Sequence, residues 1–224
     1  MSTLIVPGYL GSGEGHWQTW MESQLPDVRR VEQEWYNPIL VRWAESVCHE
    51  IDASRSPVWL VAHSFGCLAA VTAASDRASK VAGAMLVAPA NPERFSLGGV
   101  RNAVNSPAHS NLSEFIPDKK LPFPTLVVAS ADDPWISCEK AHSWAMVWGS
   151  QFLALGKAGH INVESGYGPW PEGVQLLQAF QQHHPAPLDS VCPEKPFSRG
   201  FPVARQGYIS RVRHATRRFF ASYA

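Results

Sequence analysis

A serine interrupts an apolar stretch about a third of the way along the chain, in the sequence LVAHSFGCLAA. Its surroundings read AHSFG, a variant of the G-x-S-x-G pattern in which a serine occupies a tight turn from a strand into a helix. Such a turn needs small residues two positions before and after the serine, and Ala62 and Gly66 satisfy this. The alternative, a serine that caps a helix, predicts no chemical partners elsewhere. The pattern makes Ser64 a candidate nucleophile.

Candidate partners for this hydroxyl occur later in the chain, the acid before the base. A serine needs an imidazole to accept its proton, and the imidazole needs a carboxylate to fix its tautomer. The sequence SADDPWI follows one apolar run, and we favour Asp133 because it directly precedes a proline, with Asp132 as a turn-forming or supporting residue. The sequence GKAGH follows another apolar run and provides His160 as the candidate base. These residues predict the chemistry of acyl transfer through a serine.

The remaining histidines are poorer candidates for the base. His63 adjoins the nucleophile, but we expect it to point away from Ser64 at the end of its strand. Four others lie in predicted helices or at their ends: His49, His142, His183 and His184.

A glycine-rich loop, VPGYLGSGEGHW, follows the first apolar run. An oxyanion needs two backbone N–H donors, and we predict those of Phe65 and Tyr9, with Gly8 allowing close approach of the backbone. The loop contains neither G-x-G-x-x-G nor G-x-x-x-x-G-K-[ST], so the sequence does not favour nucleotide binding.

Alternating strands and helices must position these residues. The predicted strands are Thr3 to Val6, Val28 to Glu32, Pro57 to Ala62, Val81 to Ala88, Pro124 to Ser130 and Gln151 to Leu155. The predicted helices are Trp17 to Leu25, Ile39 to Ile51, Phe65 to Ser75, Glu139 to Trp148 and Pro171 to Gln182. Because several strands are almost continuously apolar, we expect an α/β fold whose mostly parallel sheet is covered by helices on both faces. Ser64, Asp133 and His160 would then share one edge of that sheet.

Two segments depart from this alternation. Residues 91–121 contain glycines, asparagines and prolines, and we expect a loop or small helical excursion over the carboxyl edge of the sheet. Residues 185–224 hold prolines and, from 191 onward, seven of the 19 basic residues but one of the 19 acidic residues. We therefore predict one domain at 1–184 and a basic tail outside it, with anion or partner binding as the tail's alternative role.

Composition narrows the other function classes. The four cysteines form no pair at metal-ligand spacing, which favours a reducing compartment and predicts neither a metal nor another cofactor. The first residues do not resemble a signal peptide, and no apolar stretch reaches membrane-spanning length. We expect a cytoplasmic protein that acts on a small molecule, without nucleic-acid or membrane partners; the sequence identifies no protein partner.

Four segments together resemble a known family: LIVPGYLGSGEGHWQTWME, AHSFG, SADDPWI and AGHIN. They are similar to the small serine hydrolases grouped with retinoblastoma-binding protein nine and the bacterial YdeN protein. The resemblance implies an α/β-hydrolase fold with little or no cap domain and a triad of Ser64, Asp133 and His160. It also implies that His16 and Trp17 line the site, although helix initiation and core packing is the alternative. Gly8, near the predicted oxyanion donors, and Trp135, near the candidate acid, are further substrate-binding candidates.

The sequence therefore predicts a serine hydrolase acting on small esters, or on amides, through an acyl-serine intermediate. The alternative is a protein-interaction module that retains the hydrolase scaffold with little turnover. Its candidate contact residues are tryptophans, which core packing would equally explain: Trp17, Trp135, Trp144, Trp148 and Trp170.

Overall fold

Six parallel strands form the central sheet of the protein. The computed structural model describes residues 2–101 and 111–184, so the predicted tail at 185–224 lies outside the described residues. The strands in chain order are β1 Thr3–Val6, β2 Val28–Arg30, β3 Val58–His63, β4 Val81–Val87, β5 Phe95–Ser96, β6 Gly99–Val100, β7 Thr125–Ala129 and β8 Gln151–Ala154. The sheet order is β2-β1-β3-β4-β7-β8, and β5 and β6 form a separate antiparallel hairpin.

In the described part of the chain, five α-helices cover both faces of this sheet, which confirms the predicted α/β architecture. They are α1 Trp17–Glu22, α2 Leu40–Ala53, α3 Phe65–Ala74, α4 Cys138–Trp148 and α5 Pro171–His183. Side chains of α2, α3 and α4 pack in one core, whereas those of α1 and α5 pack in the core on the opposite face. Helix α1 ends at Glu22, before the predicted Leu25; Pro26 disfavours helical geometry at Leu25, the residue that precedes it.

Strand β3 shows why the sequence has continuous apolar runs. All six of its residues are buried, since successive side chains point to opposite faces and both faces are covered. Leu60 and Ala62 pack with the core of α2 and α3, while Trp59 and Val61 pack with the core of α1 and α5. An apolar side chain is therefore expected at the first five positions of this strand, whereas the sixth position holds the buried His63.

The register of the sheet brings the strand ends to a common edge. His63 at the end of β3 is paired with Val87 at the end of β4, and Val87 is paired with Val128 of β7. Ala129, the last residue of β7, is paired with Ala154, the last residue of β8. The loops that carry Ser64, Asp133 and His160 consequently leave the sheet at the same edge, with the end of β4 between the loops after β3 and β7.

The segment between β4 and β7 is small where it is described. It contains a 3₁₀ turn at Pro92–Arg94, the β5–β6 hairpin and a second 3₁₀ turn at Leu112–Phe115. Within residues 91–101 and 111–121 there is no α-helix, so the described part forms no helical cap domain.

Most candidate contact tryptophans belong to the core. Trp17, Trp148 and Trp170 are buried, Trp144 is half-buried, and Trp135 is exposed. Core packing therefore accounts for three of these five side chains.

Gly83 in β4 provides a test of this packing. A Cβ atom at position 83 would overlap the ring of Trp59, which is buried and packs edge-on against Phe180 with ring centroids 5.6 Å apart. We expect Gly83→Ala to lower the free energy of unfolding by about 1–3 kcal/mol, because the Trp59 ring has no space to move into. Chemical denaturation monitored by circular dichroism measures the change.

Gly13→Ala is the matched control. A Cβ atom there would meet no atom within 4 Å, and its backbone is outside the left-handed region. Its free energy of unfolding should stay within about 0.5 kcal/mol of the parent protein. Equal stability of the two variants would contradict the packing described for Gly83.

Candidate active site

Ser64 occupies a strained turn between β3 and α3. Its backbone has φ 53° and ψ −123°, a conformation that non-glycine residues rarely adopt. The Ser64 N–H donates to Val87 O at 3.0 Å, and Ser64 O accepts from the N–H of Ala90 at 3.1 Å. A Cβ atom on Gly66 would overlap the carbonyl oxygens of Val6 and Pro7, so this position requires glycine. The turn aims the Ser64 hydroxyl away from the sheet.

A chain of hydrogen bonds links Ser64, His160 and Asp133. Ser64 Oγ lies 2.9 Å from His160 Nε2, and His160 Nδ1 lies 2.8 Å from Asp133 Oδ2. The Asp133 side chain is 1% exposed, and its second oxygen accepts from the Trp135 N–H at 2.8 Å. A buried carboxylate at Nδ1 keeps the proton on that nitrogen, which leaves Nε2 free to accept the proton of the serine. The arrangement can activate a hydroxyl for attack on a carbonyl carbon.

Ser130 and Asp132 join the loop of the acid to the loop of the base. Asp132 Oδ1 accepts from the Gly159 N–H and from Ser130 Oγ, each at 2.8 Å, and Ser130 Oγ accepts from the Ala158 N–H at 2.9 Å. Hydrogen bonds to the carboxylate, first that from the Gly159 N–H, lower the pKa of Asp132. Asp132 supports the loop and does not contact His160 by hydrogen bond. Sequence reasoning missed Ser130, whose signal was a hydroxyl at the end of an apolar strand.

The loop after β1 lies directly against the nucleophile. A Cβ atom on Gly8 would come within 2.7 Å of Ser64 Cβ and 3.1 Å of His63 O. Among the described residues, the backbone N–H groups of Tyr9 and Phe65 have no hydrogen-bond acceptor. Two such N–H groups beside a serine can stabilise negative charge on a substrate oxygen.

His16 and Trp17, predicted to line the site, are buried and are not among the residues that line its cavity. His16 is the N-cap of α1, where its Nδ1 accepts from the Gln18 N–H at 3.1 Å. Trp17 is fully buried, and its Nε1 donates to Ile161 O at 2.8 Å. The pair initiates a helix and packs in the core because α1 covers the sheet below the loops. Gly8 is likewise buried against Ser64 and outside the cavity lining.

His63 points away from Ser64, towards the loop of the base. Its Nε2 lies 2.9 Å from His160 O, and its ring centroid is 4.9 Å from that of His160. Burial lowers the pKa of His63 well below its usual value, so the ring is neutral. The His160 loop is therefore held by two hydrogen bonds to its backbone, one from Trp17 and one from His63.

A cavity of about 300 Å³ opens beside Ser64 and His160. Its apolar lining consists of Tyr9, Leu10, Ala90, Phe95, Val100 and Trp135, and its polar lining includes Asn91, Arg94, Asn162 and Glu164. Of the predicted substrate-binding residues, Trp135 lines this cavity. Sequence reasoning did not predict that Arg94, Phe95 and Val100 line it. A larger groove of about 510 Å³ begins at the amino end of β7 and contains no residue of the hydrogen-bonded chain.

The described residues hold no cluster of three or more histidine, cysteine or acidic side chains arranged to bind a metal ion. The same part of the chain contains no helix with the length and apolar character needed to cross a membrane.

Comparison with known proteins identifies the family. The serine hydrolase family model matches residues 3–179, a range that includes all three members of the hydrogen-bonded chain. The chain belongs to the serine hydrolase family. No curated protein matches this serine hydrolase.

Solved structures agree with this assignment. A Pectobacterium atrosepticum protein described as a YdeN-like hydrolase is 36% identical, with a TM-score of 0.72 over 83% of this chain and 92% of its own. The ydeN gene product of B. subtilis is 18% identical, with a TM-score of 0.63 over 81% and 98% of the two chains. An α/β hydrolase from a lagoon-sediment metagenome is 14% identical, with a TM-score of 0.60 over 82% and 91%. This serine hydrolase therefore has the predicted α/β-hydrolase fold.

His16, the buried N-cap of α1, should make the stability of the protein depend on pH. Burial, with the nearby charge of Arg30, lowers the pKa of His16 from 6.5 to about 4. Between these values the unfolded chain binds a proton that the folded protein does not, so stability should fall as pH drops from 6.5 to 4. The lowered pKa of His63 should likewise reduce stability as the pH falls.

His16→Asn isolates this contribution, because asparagine can cap the helix without titrating. Urea unfolding at a series of pH values should show that the slope of unfolding free energy against pH is smaller in the variant, by about 1 kcal/mol per pH unit. If unfolding free energy changed with pH at the same slope in both proteins, His16 would not be neutral in the folded state.

Proposed function

We propose that this serine hydrolase cleaves small carboxylic esters through an acyl-Ser64 intermediate. The observation that carries the proposal is the hydrogen-bonded chain from Ser64 through His160 to buried Asp133, at the wall of a cavity. In this proposal Ser64 is the nucleophile, His160 the general base and acid, and Asp133 the carboxylate that orients the imidazole.

Acylation begins when Ser64 Oγ attacks the ester carbonyl carbon and His160 Nε2 takes the hydroxyl proton. Negative charge develops on the carbonyl oxygen, which the N–H groups of Tyr9 and Phe65 stabilise. Asp133 stabilises the imidazolium that forms. His160 then gives the proton to the leaving alcohol as the carbon–oxygen bond breaks, leaving the acyl group on Ser64.

Deacylation repeats these steps with water. His160 takes a proton from a water molecule as its oxygen attacks the acyl carbon, and the same two N–H groups hold the oxyanion. Collapse of the intermediate returns the proton to Ser64 Oγ and releases the carboxylic acid. Amides are the second substrate class, since the same residues could protonate an amine leaving group.

The cavity supports a small, partly apolar substrate. Its volume of about 300 Å³ is at the lower end of the range for small-molecule sites. Four of its lining residues are among the exposed large apolar side chains of the described chain: Tyr9, Leu10, Val100 and Trp135. Their contact with a substrate would remove apolar surface from water.

The alternative, an interaction module with little turnover, has weaker support. Trp17, Trp148 and Trp170 were candidate contact residues, and all three are buried. A module without turnover would also gain nothing from the strained backbone of Ser64.

Ser64→Ala tests the nucleophile. We expect hydrolysis of p-nitrophenyl acetate to fall on the order of 10⁴-fold, because the acyl-enzyme can no longer form. The control is Ser143→Ala, which removes an exposed hydroxyl bonded to Glu139 O within α4 and should retain full activity. A Ser64→Ala protein that is folded by circular dichroism and as active as the parent would exclude this nucleophile.

Asp133→Asn and Asp132→Asn distinguish the two adjacent carboxylates. Asparagine at 133 should lower kcat by about 10³- to 10⁴-fold, since it no longer fixes the tautomer or stabilises the imidazolium. Asparagine at 132 keeps an acceptor for the Gly159 N–H and should cost less than about tenfold. The reverse ranking in steady-state kinetics would assign the catalytic acid to Asp132.

A further inference from the structure

A cation that lies over an aromatic ring forms part of the cavity wall. The guanidinium carbon of Arg94 lies 4.3 Å from the ring centroid of Trp135, and both residues line the cavity that contains Ser64 and His160. Arg94 ends the 3₁₀ turn after β4, whereas Trp135 follows β7. The contact therefore joins two loops across neighbouring strands at the carboxyl edge of the sheet.

The charge of Arg94 is not neutralised within the described residues. No carboxylate there lies within 4.0 Å of its guanidinium, and the adjacent Glu93 is paired with Lys140 of α4. Glu164 lines the same cavity but forms no ion pair with Arg94. The guanidinium is thus a cation at a partly apolar cavity, with no carboxylate of the described residues within 4.0 Å of it.

The backbone around Arg94 is held in place. The Arg94 N–H donates to Asn91 O at 3.0 Å, and Arg94 O accepts from the Arg101 N–H at 2.9 Å. Arg101 Nη1 also donates to Glu93 O at 3.0 Å. Together with the Glu93–Lys140 pair, these contacts fix the start of the β5–β6 hairpin. Arg94 is therefore positioned before any substrate enters.

A guanidinium that lies over an aromatic ring can contact the ring through its flat face and keep its N–H edges available to a further partner. Those edges match the two oxygens of a carboxylate and can bind both of them. We propose that Arg94 is a specificity-determining residue that binds a free carboxylate on the acyl group of the substrate. The preferred substrates are then monoesters of dicarboxylic acids, whose ester carbonyl is attacked while the second carboxylate pairs with Arg94. This inference rests on the proposed esterase function.

Matched pairs of esters test it. Mono-p-nitrophenyl succinate, glutarate and adipate each carry a terminal carboxylate, and p-nitrophenyl butyrate, valerate and hexanoate have the same acyl chain lengths without it. The measured quantity is the ratio of kcat/KM for the charged ester to that for its neutral partner. In Arg94→Gln this ratio should fall about tenfold or more for at least one pair, through a higher KM for the charged ester. The kcat/KM for the neutral ester should fall less than that for the charged ester, because the neutral ester has no carboxylate to pair with residue 94.

Glu164→Gln is the control, because it changes the charge of the same cavity in the opposite direction. Its ratio should equal or exceed that of the parent protein. An unchanged ratio in Arg94→Gln for all three pairs, or an equal loss for charged and neutral esters, would overturn the role of Arg94. If the parent protein hydrolysed none of the esters, the esterase function itself would fail; neutral turnover without a change in ratio would reject the Arg94 inference alone.

Discussion

The backbone conformation of Ser64 is the constraint on which the rest of the site depends. A non-glycine residue at φ 53° is strained, and it persists because hydrogen bonds to Val87 and Ala90 hold it on both sides. The absence of Cβ atoms at Gly8 and Gly66 lets the β1 loop pass over the turn. The other non-glycine residues with positive φ in the described chain also follow strands of this edge: Leu10, Ala88 and Ile161. Strain is concentrated where the chemistry is proposed.

The parallel sheet brings the partners of Ser64 to the turn that holds it. Paired strand ends place the loops after β3, β7 and β8 at one edge of the sheet, so residues far apart in sequence meet. Hydrogen bonds through Ser130 and Asp132 then fix the spacing between the loops of Asp133 and His160. Behind them, His63 and Trp17 bind the backbone of the His160 loop. The imidazole thus has its position set from several directions.

The sequence predicts those features that depend on neighbouring residues. Small residues around Ser64 indicate the turn, and apolar runs indicate buried parallel strands. The order of strand ends then predicts that Asp133 and His160 approach the serine. Where the outcome depends on packing between distant segments, sequence patterns are less informative. His16 and Trp17 share a loop with Tyr9, yet α1 turns them into the core. The cavity wall at Arg94 depends on the β5–β6 hairpin, whose two-residue strands are too short to give a recognisable sequence pattern.

The central claim is that Ser64 is an activated nucleophile. The most direct measurement is peptide mass spectrometry of the native protein after reaction with a fluorophosphonate probe, with and without prior heat denaturation. We expect a single phosphonyl adduct on the peptide that contains Ser64, formed by the folded protein and absent when the protein is denatured before reaction. An adduct on a different residue, or an absence of any adduct in the folded protein, would contradict it.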